Sequence, residues 1–182
     1  MRWGELVFLA LLLLIVVVNQ LNAPLSILPW RPEPDVALLV AMYGGVIYPP
    51  SGAAALGFSV GLLQETLAGG LIGVHALLKG LTGLVWVRLW SQVFGDGILV
   101  QLPLLGMLTI VDGVVFFTAS QVLSGPSAAW DVLLPMLGRQ LLANLIAGPV
   151  LLKGFAMVHD KLTQRSRAHR RGHEPTATLA PK

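Results

Sequence analysis

The chain has 182 residues, of which 55% are hydrophobic and only 12% charged. A soluble domain carries charge on about a quarter of its residues, so this composition excludes an ordinary water-solvated fold. The formal net charge is +3. From His159 onward Lys161, Arg165, Arg167, Arg170, Arg171 and Lys182 outweigh Asp160 and Glu174, and the rest is nearly neutral. Such a tail is most simply a topology signal and a lipid-facing end, with recognition of a cytosolic partner as the alternative, and no nucleic acid is expected. With no cysteine, disulfides, thiolate metal sites and cysteine nucleophiles are excluded together.

The apolar runs predict an all-α membrane protein, a compact bundle of about six transmembrane helices. Arg2 precedes the first run, but Glu5 and the absence of a small-residue cleavage site mark it as a retained helix over 3–21. Pro24, Pro29, Pro32 and Pro34 then break the helix, and Asp35 caps a short second span over 36–48. Pro49 and Pro50 end that span, Ser51 opens a third over 51–67, and Gly69 and Gly70 close it. A fourth span covers 72–90, Gly95, Asp96 and Gly97 form a turn, and a fifth runs 98–123 to Gly125 and Pro126. The sixth, 132–158, holds a Gly148-Pro149 kink and leads into a disordered basic tail, 159–182.

Cytoplasmic loops retain Lys and Arg, which favours both ends inside, with Arg2, Arg88 and the tail on that side and Arg31 outside. That orientation sets Trp3, Trp86 and Trp90 at the inner interface and Trp30 and Trp130 at the outer one.

Four ionisable residues fall within spans: Glu65, Lys79, Asp112 and Arg139. Each costs at least ~2.5–3.5 kcal/mol to insert, so each needs a partner. Asp112 and Arg139 are equidistant from the Gly125-Pro126 turn, and Glu65 and Lys79 from Ile72. Two ion pairs fixing hairpin register are the expectation, with a substrate or proton path as the functional alternative.

Ala53, Gly57 and Gly61 form a small-residue face on span three, suited either to packing within the chain or to a partner helix. Gly57 to Gly61 also reads G-x-S-x-G, which with His75 raises an intramembrane serine protease. Reflection about Ile72 sets Ser59 against residue 85, ~15 Å in depth from His75, so catalysis is rejected. His169 and His173 lack further ligands for a metal. No catalytic, cofactor or metal site is expected.

One stretch resembles a known family. Gly61-Leu-Leu-Gln-Glu65-Thr-Leu-Ala-Gly69, then Leu71-Ile-Gly73-Val-His75-Ala76-Leu77 and Leu81-Thr-Gly83-Leu84, is similar to the signature of MreD, the bacterial rod-shape-determining membrane protein. Glu65 replaces the usual aspartate and Leu84 the usual tyrosine. The resemblance marks Glu65, Gly69, Gly73, His75 and Gly83 as signature positions. It implies a non-catalytic scaffold of the bacterial cytoplasmic membrane that binds MreC and is linked through it to MreB, RodA and the elongation transpeptidase. The alternative class is a vitamin-binding subunit of an energy-coupling transporter, with a pocket near Glu65 and His75. Its usual Ala-x-x-x-Ala face on helix one is missing, because Leu14 follows Ala10.

Overall fold

A computed structural model describes residues 3–22, 34–68, 73–93, 98–124 and 130–171. Six helices follow in order: α1 (Trp3–Asn22), α2 (Val36–Ile47), α3 (Pro50–Ala68), α4 (Val74–Val93), α5 (Ile98–Ser124) and α6 (Trp130–Arg171). Three of them, α1, α5 and α6, are long and apolar enough to cross a membrane.

α2 sits at the centre. Its 12 residues rise ~18 Å, well short of a ~30 Å hydrocarbon layer. Every residue from Val36 to Gly45 is buried, the pattern of a helix apolar all round and enclosed by other helices. The second predicted span is thus a short helix enclosed by the others. Asp35 does cap it, its carboxylate accepting from Leu38 N at 2.9 Å.

α1 lays Phe8, Leu12 and Val16, one helical stripe, onto this core and leaves Leu14 and Val18 exposed. Phe8 and Phe155 meet Tyr43 edge-on, each at 5.7 Å between ring centres, which ties α1 and α6 to α2. Trp86 is buried in the same core at 1% exposure, contrary to its expected interfacial place, because α4 turns that face toward Gly45 of α2. Trp3, by contrast, is exposed. Trp30, Arg31, Gly69 and the turns at residues 95–97 and 125–126 lie outside the described residues.

α3 and α4 touch backbone to backbone. A Cβ on Gly57 would overlap the Lys79 carbonyl, one on Gly61 the His75 carbonyl, and one on Gly83 the Ala53 carbonyl. The small-residue face is therefore spent on packing inside the chain and is closed to a partner helix. This register sets Gly57, eight residues before Glu65, against Lys79 and Gly80, so the expected Glu65–Lys79 depth match fails.

α5 and α6 form the other hairpin, with Gly113 against Leu137, Gly106 against Leu141 and Gly148 against Leu105. Phe117, Leu133 and Leu137 make a small apolar cluster there, separate from the main core. α6 continues as helix to Arg171, so the first part of the basic tail is helical rather than disordered.

Candidate functional site

The polar residues inside the bundle converge where α2, α4, α5 and α6 meet. Lys79 is fully buried on α4, and its ammonium lies 3.0 Å from Asp35 Oδ2 and 3.3 Å from Asp112 Oδ2. His75, one turn earlier on the same face, brings Nδ1 to 3.3 Å from Lys79 Nζ and 3.5 Å from Asp112 Oδ2. Its ring stacks on Phe116 of α5 at 4.0 Å between centres. One ammonium thus serves two carboxylates on two other helices.

Neutral groups complete the set. Asp35 N donates to Asn144 Oδ1 at 2.7 Å, Asn144 Nδ2 to Thr109 Oγ1 at 2.9 Å, and the Thr109 hydroxyl to the Leu105 carbonyl at 2.8 Å. Gln140 Nε2 reaches Asp35 Oδ2 at 3.5 Å. Asn144 and Thr109 are fully buried, as is required of polar groups that satisfy one another away from water.

Glu65 acts elsewhere. Its carboxylate, 2% exposed at the end of α3, accepts from Gly73 N at 2.6 Å and from His75 N, the free amides at the start of α4. A carboxylate at that position satisfies orphan donors and meets the positive end of the helix dipole. Gly73 has φ +109°, a conformation that favours glycine, and its carbonyl accepts from Leu77 N to begin the helix. The signature residues Glu65, Gly73, His75 and Gly83 thus shape the α3–α4 hairpin: a cap, a turn, a contact to α5 and a close approach.

Neither expected ion pair forms. Glu65 is engaged with backbone amides, and Lys79 with Asp35 and Asp112. Asp112 and Arg139 do share a depth, given the Gly113–Leu137 contact, but they point to different sides. Asp112 faces α4, whereas Arg139 Nε donates to the Pro135 carbonyl of its own helix at 3.1 Å. Equal distance from a turn fixes depth and leaves azimuth free.

The protease reading fails on the same ground. Ser59 is close to His75 in depth, in place of the ~15 Å separation expected from reflection about Ile72, since Gly57 faces Lys79 and Gly61 faces His75. What separates them is direction. Ser59 is exposed and donates to the Ala55 carbonyl at 2.8 Å, while His75 is turned to Asp112 and Phe116. A pocket near Glu65 and His75 would likewise need groups already engaged. Among the described residues, no group of three or more His, Asp or Glu stands where it could hold a metal ion.

Sequence reasoning missed Asp35, beyond its capping role, along with Thr109, Gln140 and Asn144. Asn144 offered a signal, an amide in the apolar run Leu141-Leu-Ala-Asn144-Leu-Ile, because a polar side chain at that place needs an interhelical partner.

The arrangement is a clasp joining four helices, with its hydrogen-bonding groups turned inward. A search of curated proteins and one of solved structures find no match. A family model described as rod shape-determining protein MreD matches residues 2–148, which takes in every residue of the clasp and of the α3–α4 signature. The chain belongs to the MreD family.

Proposed function

We propose that this protein is a scaffold of the bacterial cell-elongation machinery that binds MreC directly in the cytoplasmic membrane. Through MreC it couples MreB, RodA and the elongation transpeptidase, so that peptidoglycan synthesis outside follows filaments inside. The family match over residues 2–148 carries this reading. Family members are non-catalytic scaffolds, and membership together with three apolar helices of membrane length makes the protein a multi-pass membrane protein. Both termini face the cytoplasm and the chain crosses six times, once with each helix, α2 being the short crossing enclosed by the others.

The geometry agrees with a scaffold. Ionisable groups in the bundle are spent on one another or on backbone amides, whereas the outer faces of α1, α5 and α6 expose Leu14, Met107, Val122, Leu134, Ile146 and Val150. Apolar faces of this kind suit lipid and the membrane helix of a partner.

The test is co-purification in mild detergent of the tagged protein with the MreC of the same genome, beside an unrelated single-span membrane protein. Stoichiometric elution of MreC alone is expected. Elution without MreC, or equal capture of the control, would overturn direct binding.

A further inference from the structure

Helix α6 outlasts its own apolar stretch. The stretch of membrane length ends at Gln164, whereas the helix runs on to Arg171. The family match stops earlier still, at residue 148, so this end of α6 is particular to the chain. Its level is set by ring contacts at the other face of the bundle. His159 lies against Phe8 of α1 at 5.1 Å and against Tyr43 of α2 at 6.4 Å between ring centres, and Leu162 still packs on the main core. Six successive crossings make α1 and α6 antiparallel, so Trp3, five residues before Phe8, stands level with about Gln164. Trp3 is 82% exposed and marks the interface, where an indole prefers to sit. The seven residues from Arg165 to Arg171 rise ~10 Å beyond that level, enough to span a headgroup layer of ~5–8 Å.

The charge of this segment is one-sided. Lys161, Arg165, Arg167, Arg170 and Arg171 are cations within eleven residues, and no acid falls between Asp160 and Glu174. Asp160 itself has His159 Nδ1 within 3.9 Å. Lys161 with Arg165 and Arg167 with Arg171 are i,i+4 pairs of like charge, and such pairs destabilise a helix standing alone. The negative end of the helix dipole offsets this in the last turn but not at Lys161 or Arg165. A helix that persists through these pairs calls for anions from outside the chain. At the headgroup level those anions are lipid phosphates, which a guanidinium matches with two parallel hydrogen bonds.

We propose that residues 161–171 of α6 form a binding site for anionic phospholipid headgroups, with four arginines set at the level of the lipid phosphates. The site rests on the six-crossing topology proposed above and is independent of MreC. Each cation held at an anionic surface multiplies the affinity on the order of fivefold, so the segment gives the protein a lipid preference that its nearly neutral remainder does not.

The test places the full chain in nanodiscs of phosphatidylcholine that carry a trace of spin-labelled phosphatidylglycerol or, separately, spin-labelled phosphatidylcholine. The motionally restricted fraction of each label gives their relative affinity. Phosphatidylglycerol should be favoured by about fivefold or more. Replacing Arg165, Arg167, Arg170 and Arg171 together by Gln keeps good helix formers and should bring the ratio to within about twofold of unity. Raising salt from ~0.1 M to ~1 M, which shortens the screening length from ~10 to ~3 Å, should do the same to the unmodified protein and needs no variant. Lys182→Gln, at the far end of the tail, should leave the preference unchanged. Equal restriction of the two lipids by the unmodified protein overturns the site, as does a preference that survives the four-arginine variant or an equal loss in Lys182→Gln. Displacement of the labelled lipid by soluble glycerol phosphate would also overturn it, by showing a phosphate site in place of a membrane surface.

Discussion

Replacing Lys79 by Met tests the clasp directly. Met fills a similar elongated space without charge, so the packing change is small and the electrostatic one is large. The ammonium stands 3.0 Å from Asp35 and 3.3 Å from Asp112 at zero exposure, and its removal strands two buried carboxylates. Breaking a buried pair in this way costs about 3–5 kcal/mol. For a chain of this length that is a drop in melting temperature on the order of 10 °C, read by thermal unfolding in a fixed detergent. Adding Asp112→Asn to Lys79→Met should restore part of the loss, since one of the stranded charges is then gone. Arg139→Ala should leave the coupling between Lys79→Met and Asp112→Asn unchanged, because Asp112 relies on Lys79 and His75. Loss of that coupling in Arg139→Ala, or no loss of stability for Lys79→Met, would refute the assignment of partners.

Gly57→Ala places a methyl on the Lys79 carbonyl and must force α3 and α4 apart, at about 1–3 kcal/mol, measured by the same melting assay. Glu65→Gln weakens the cap on the first amides of α4 and should cost about 0.5–2 kcal/mol; a melting curve that matches the unmodified protein would exclude the capping role. Ser59→Ala removes only a hydroxyl bonded within its own turn, so melting should change by no more than about 0.5 kcal/mol, and MreC capture should be unaffected.

Much of the architecture was legible because lipid makes strong demands on sequence. Long apolar runs, proline and glycine breaks and a capping Asp35 located six helices and an all-α bundle, since a helix in lipid must satisfy its own backbone. The signature around Glu65, Gly73, His75 and Gly83 was enough to suggest the family that residues 2–148 match. Helix ends were harder, because α6 continues through Lys161 and Arg165 with no glycine or proline to stop it before Arg171.

What sequence spacing could not settle was direction around each helix axis. Distance from a turn estimated depth well for Asp112 and Arg139, and poorly for Glu65 and Lys79. Even correct depth leaves side chains free to point toward different neighbours. Asp112 faces α4 because helix packing turns it there, and Asp35 joins Lys79 only because the short α2 begins beside Asn144. The identity of the helices is a local property of hydrophobic runs and breaks. The clasp, the closed Gly57–Gly61 face and the central place of α2 depend on which helix lies beside which, and that was decided by tertiary packing alone.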